Sequence, residues 1–180
     1  MKVIILFFFI FSLYTCGSKN EEIYSNLDGI NHKEIFEGHD NCKKHILNLI
    51  YEKDTVLKPI FFDEILLKLK ENEKPWRSLA FQSLGYYCQY LDIEQVSKLQ
   101  SSLFNYFLYY PKEYMYEISK MNIGKSDCFL TLFSNYVQYY INNGGVTLIS
   151  MKNVAFKYCD NCSDNDIFSV YQYLELASKY

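Results

Sequence analysis

From about residue 41 to the end of the chain, apolar residues recur every three or four positions. That is the spacing of an amphipathic helix, not the alternation of a strand. Trp76, Leu79, Ala80, Leu84, Tyr87, Cys88 and Leu91 follow it, with Pro75 just ahead, where a first-turn proline belongs. Asp92 is placed to cap the next helix, with Gln95 three residues on, a variant of the capping-box spacing. The inner face of that helix is expected to be Ile93, Val96, Leu99, Leu103, Phe104 and Phe107. Pro111 opens a short helix carrying Tyr114, Met115, Ile118 and Met121, and Gly124 is placed to end it. After Ser126 and Asp127 a longer helix shows Phe129, Leu132, Phe133, Tyr136, Val137 and Tyr140, stopped by Asn143-Gly144-Gly145. Val146 to Tyr158 reads as helix, with a strand as the alternative. Asp164 is expected to cap the last helix, with Phe168, Tyr171 and Leu174 facing inward. Residues 42–52 and 59–71 predict two further helices.

No long alternating run suggests a sheet, so the fold class is all-α. It is either an irregular helical bundle or a short helical-hairpin stack of the HEAT/TPR-like kind. One internal echo bears on that choice. Asn105-Tyr106-Phe107-Leu108-Tyr109-Tyr110 recurs as Asn135-Tyr136-Val137-Gln138-Tyr139-Tyr140, an offset of 30 residues. A period of this size suits a helical-hairpin repeat, which buries its core by stacking on its neighbours.

The first residues break the helical pattern. Met1-Lys2 is followed by an apolar stretch from Val3 to Tyr14, ending in Ser12-Leu13-Tyr14. It is shorter than the roughly 20 residues needed to span a bilayer and suits a cleaved secretory signal. It ends in Leu13-Tyr14-Thr15-Cys16-Gly17-Ser18, which resembles the lipobox of bacterial lipoproteins. Ser18-Lys19-Asn20-Glu21-Glu22 is similar to the tether of lipoproteins from Bacteroidetes-type bacteria.

The resemblance implies cleavage between Thr15 and Cys16, lipidation of the Cys16 thiol, and a place in the cell envelope. That place would be as an outer-membrane lipoprotein on the periplasmic or the surface side. Each buried methylene contributes about 0.8 kcal/mol, so two or three acyl chains hold a protein to a membrane far better than one. The expected organisation is a signal peptide over residues 1–15, a flexible tether over 16–40 and a single α-helical domain over 41–180.

Composition narrows the partners. The net charge of −3 offers no basic face for nucleic acid. Arg77 is the only arginine, so bidentate phosphate recognition is poorly supplied. The 18 Tyr and 14 Phe are first of all core material, although tyrosine is also enriched at interfaces. Tyr109, Tyr110 and Tyr139 fall near the helix joints and are the candidate binding patch.

Besides Cys16 the chain has Cys42, Cys88, Cys128, Cys159 and Cys162. Outside the reducing cytosol disulfides are allowed, and five thiols leave at least one unpaired. Cys159 and Cys162 could close on each other or bridge to Cys42. Cys88 and Cys128 read as small core residues. A thioredoxin-like use of Cys159 and Cys162 lacks the surrounding βαβ pattern.

His32, His39 and His45 cluster early and, with the cysteines, could make a zinc site. No zinc-finger spacing is present, and solvated histidines are the simpler reading. No motif asks for a metal or a cofactor. No His-Glu-x-x-His, Gly-x-Ser-x-Gly or phosphate-binding glycine loop occurs, so no catalytic residue is assigned.

These readings converge on a membrane-anchored lipoprotein whose helical domain binds a protein or an envelope component. The rivals are an immunity or inhibitor protein acting on a toxin or hydrolase, and an enzyme with converging carboxylates.

Overall fold

The computed structural model describes residues 29–53 and 56–180. Every regular element among them is helical. Helices α1 to α9 run His32–Glu37, Cys42–Ile50, Phe62–Lys68, Lys74–Tyr87, Ile93–Tyr109, Pro111–Lys120, Ile123–Asn143, Leu148–Lys157 and Asp164–Ala177, and one 3-10 turn, Pro59–Phe61, leads into α3. The chain divides into a unit ending at Asp40 and a second unit, Asn41–Tyr180. Of the first, α1 is described: its cap Asn31 accepts a hydrogen bond from the Glu34 amide at 3.2 Å. The later part of the stretch read as a flexible tether therefore holds a capped helix. None of its helices is long and apolar enough to cross a membrane among the described residues.

The second unit is an all-α bundle of unequal helices. Several boundaries follow from local chemistry. Asp92 and Gln95 form a reciprocal capping box on α5, with Gln95 N–H donating to Asp92 at 2.9 Å. Thr147 with Ser150 does the same for α8, so the segment read as helix or strand is helix over Leu148–Lys157. Pro111 stands in the first turn of α6, as its missing N–H allows.

Three expectations shift. Gly124 does not end α6; Asn122 caps α7, which starts at Ile123, so Gly124 lies in its first turn. Ser163, not Asp164, caps α9, with Asp166 completing the box. Ile93 and Phe168, expected inward, are exposed: Ile93 opens the first turn of α5, and Phe168 lies on the outer face of α9, away from the buried Val170, Tyr173 and Leu174.

The core is aromatic. Phe107, Phe133, Tyr114 and Tyr173 meet in one cluster with ring centroids 5.0–5.8 Å apart, and Phe81 and Phe129 join it at 5.0–5.1 Å. Burial of each such ring contributes roughly 1.5–3 kcal/mol. The Tyr114 and Tyr173 hydroxyls bond to each other at 3.0 Å, which meets the need of a buried phenol for a partner. The sequence echo marks equal helical phase on α5 and α7. Phe107 and Val137 are both fully buried, and Tyr109 and Tyr139 are both exposed.

Candidate functional site

Chain reversal at Tyr110-Pro111 creates the site. The last turn of α5 presents Tyr106, Tyr109 and Tyr110, and one face of α6 presents Glu113, Tyr116 and Ser119 beside them. The end of α3 and the start of α4 supply Lys70 and Lys74 at one end. The α8–α9 loop and α9 supply Tyr158, Cys159, Asp160 and Asp166. Together they enclose an open groove of about 1310 Å³, larger than the usual small-molecule pocket of roughly 300–1,000 Å³.

A polar cluster holds the groove wall in place. Arg77 grips Glu113 with two bonds, Nε to Oε1 at 3.1 Å and Nη2 to Oε2 at 2.8 Å. Its remaining Nη1 donates to the Glu71 carbonyl at 2.6 Å. The Tyr106 hydroxyl donates to Glu113 Oε1 at 2.6 Å. The Tyr110 ring covers the guanidinium at 3.9 Å, a planar stack that lysine cannot make. Burial pulls the Arg77 pKa down, but Glu113 more than offsets this and holds it above its ordinary value. Burial, with the Glu113 charge beside it, pushes the Tyr106 hydroxyl well up. One turn on, the buried Glu117 carboxylate accepts from Gln82 at 3.0 Å and from Lys120 at 3.2 Å. The only arginine is thus committed to scaffolding, and its phosphate-binding fork is occupied.

At the far rim, Lys112 Nζ donates to Asp166 at 2.9 Å and to the Asn161 carbonyl at 3.2 Å. Lys112, followed by the Ser163 amide and hydroxyl, lowers the Asp166 pKa to about 2. With Arg77 and Lys112 so paired, Lys70 and Lys74 are the groove cations that hold no carboxylate among the described residues.

The expected binding patch is divided. Tyr109 lies in the groove, half exposed, its ring edge-to-face with Tyr158 at 4.8 Å. Tyr110 is there too, half-buried over Arg77. Tyr139 is not: it is exposed on α7 beside Tyr140, at 5.6 Å. Sequence spacing alone missed Tyr116 and Tyr158, which come from other helices. It also passed over Glu113 and the pairing of Arg77.

Of the two pairings open to Cys159 and Cys162, one is formed. Cys159 and Cys162 are bonded to each other, Cα atoms 5.5 Å apart. Cys42 makes no bridge to them; it is a buried thiol whose pKa burial, followed by Glu64, pushes up to about 12. Cys88 and Cys128, read as separate core residues, form a second disulfide with Cα atoms 6.3 Å apart. Cys16 lies outside the described residues.

With Cys159 and Cys162 spent on each other, the zinc combination has lost two ligands. No group of three or more His, Cys, Asp or Glu is placed to hold a metal among the described residues. The histidines are not all solvated: His32 and His45 are buried. His45 Nε2 sits 2.8 Å from the Tyr87 hydroxyl, and burial pushes Tyr87 up to about 12. Comparison with protein-family models, curated proteins and solved structures finds no match for this chain.

Proposed function

We propose that this chain is a lipid-anchored envelope protein, held through Cys16, whose helical domain grips an extended segment of another protein in the tyrosine-lined groove. The observation that carries the reading is the groove itself, with Tyr109, Tyr116 and Tyr158 presenting open ring surface along it. Tyrosine supplies large contact area at low conformational cost and is enriched where proteins bind. A groove of this volume, walled by four separate segments, suits a strip of chain better than a compact metabolite. Lys70 and Lys74 at one end favour a segment carrying an acidic residue there, because their charges are not neutralised by the groove's own carboxylates.

Selection from a displayed library of random 12-residue peptides tests the binding half. Peptides joining Asp or Glu to aromatic or apolar residues should be enriched. A Tyr109→Ala/Tyr116→Ala variant should lose them by roughly tenfold or more, since each anchor truncation costs on the order of 1–2 kcal/mol. A Lys70→Glu/Lys74→Glu variant should select basic peptides instead. Enriched peptides that bind all three proteins equally would refute the groove as the site. For the anchor, mass spectrometry of the mature protein should find an acylated N-terminal Cys16, lost in Cys16→Ala. An intact Met1 or a bare cysteine removes the lipoprotein half and leaves the groove untouched.

A further inference from the structure

Each of the two disulfides joins a cysteine at a helix C-terminus to one near a helix N-terminus. Cys88 is the C-cap of α4, facing the carbonyl pole of that helix, and its partner Cys128 lies in the second turn of α7. Cys159–Cys162 lies between two helix ends of opposite sign. Cys159 directly follows Tyr158, the C-cap of α8, and Cys162 directly precedes Ser163, the N-cap of α9. A helix end carries roughly half an elementary charge, negative at the C-terminus and positive at the N-terminus. A thiolate is therefore favoured on Cys162 and disfavoured on Cys159.

Lys112, paired with Asp166, also donates to the Asn161 carbonyl between the two cysteines and ties the loop to α6. The other charges nearby are Asp160, Asp164, Lys157 and Asp166. The first three are exposed and screened by water, and Asp166 is held by Lys112 and Ser163. Both sulfurs belong to half-buried residues, but only Cys159 lines the groove.

We propose that Cys159–Cys162 is a thiol–disulfide exchange site, opened by a low-molecular-weight thiol that enters the groove, attacks Cys159 and expels Cys162. The incoming thiolate's electron pair forms a new S–S bond to Cys159 Sγ. The Cys159–Cys162 bond breaks, its electron pair stays on Cys162, and that sulfur then takes up a proton. A second thiol attacks the incoming sulfur of the mixed disulfide and frees Cys159. In total, two small thiols become one disulfide, and the protein gains two thiols with two electrons and two protons. Exchange is faster when the expelled thiol is the more acidic one, which is the order the helix ends impose. Cys88–Cys128 has the same bias at its α4 end, but Cys128 lies a turn inside α7, beyond the reach of the helix N-terminus, and neither sulfur lines the groove.

The test incubates the oxidised full-length protein with glutathione, quenches in acid, alkylates the free thiols and maps the adduct by peptide mass. The adduct should sit on Cys159 in preference to Cys162 by roughly three- to tenfold, with Cys88–Cys128 still closed. An even distribution, a preference for Cys162, or earlier opening of Cys88–Cys128 would overturn the proposal.

Discussion

The interior tyrosines and the groove tyrosines share a side chain and little else. Tyr114 and Tyr173 lie in the core, rings packed among Phe107 and Phe133, hydroxyls bonded to each other. Tyr109 and Tyr158 also meet edge to face, but at a rim, with much of each ring open to solvent. The first pair joins α6 to α9 and sets how the helices pack. The second joins α5 to the α8–α9 loop and leaves its faces available to another molecule. Aromatic content alone therefore says nothing about stickiness. What matters is whether the ring's neighbours already come from every side.

If that division is right, truncation on its two sides should differ in size and kind. Phe133→Ala should cost about 4 kcal/mol, because it removes a fully buried ring at the centre of the cluster and leaves a cavity. Tyr109→Ala should cost less than about 1 kcal/mol, as an exposed side chain does away from core features. Urea denaturation of both variants checks this, and equal losses would place Tyr109 in the structural set. Arg77→Met comes next, at about 3 kcal/mol, since it strands Glu113 in a mostly buried place. Adding Glu113→Leu to it should recover part of that loss. If the double variant is as unstable as the single, the pair is not what holds the groove wall.

The sequence was readable where the forces are local. Asp92 with Gln95 announces its helix because both hydrogen bonds close within four residues. Gly124 misled because Asn122 is an equally good cap two residues earlier, and a helix tolerates a first-turn glycine at little cost. Ile93 and Phe168 fit the apolar period, yet periodicity does not register where a neighbouring helix stops covering a face. Nothing local joins Arg77 to Glu113, 36 residues away, or Cys88 to Cys128, 40 away. The groove shares that difficulty, since its walls come from four segments. Tyr109 and Tyr110 were visible as a cluster at a proline joint; Tyr158 needed the fold to bring it there. A lone arginine in a lysine-rich chain was the one available hint of Arg77's role, because a bidentate, stacked site is what lysine cannot replace.

Alkaline titration sharpens the division without mutation. Burial pushes Tyr173 up to about 12 and Tyr114 well above its ordinary value of 10.0. Both folded values are raised, so the fold favours the protonated phenols. That contribution is complete below about pH 10 and is lost as pH climbs through 12. Phenolate absorbance from this set should rise only with loss of helical circular dichroism. Ionisation that precedes unfolding would show the core to be open. Tyr114→Phe removes the hydroxyl pair and should cost about 1 kcal/mol. It also removes one phenol with a raised folded pKa, so stability should fall less steeply above pH 10 than in the unsubstituted protein.

The smallest effect lies at the rim and carries the opposite sign. Asp166 is held at about 2, against an ordinary 3.8, first by Lys112 and then by Ser163. Its folded value is lowered, so the contribution is present above about pH 4 and is lost as pH falls through 2. Because the carboxylate is open to water, salt should weaken the effect, and the bundle should survive its loss. Carboxyl NMR should show Asp166 titrating near 2, and Lys112→Met should move it back toward 3.8. In that variant Tyr158 should loosen from Tyr109, while the Tyr114–Tyr173 pair keeps its late ionisation. If removing Lys112 also advanced the interior tyrosines, rim and core would be one cooperative unit, and the groove would not be free to adapt to a guest.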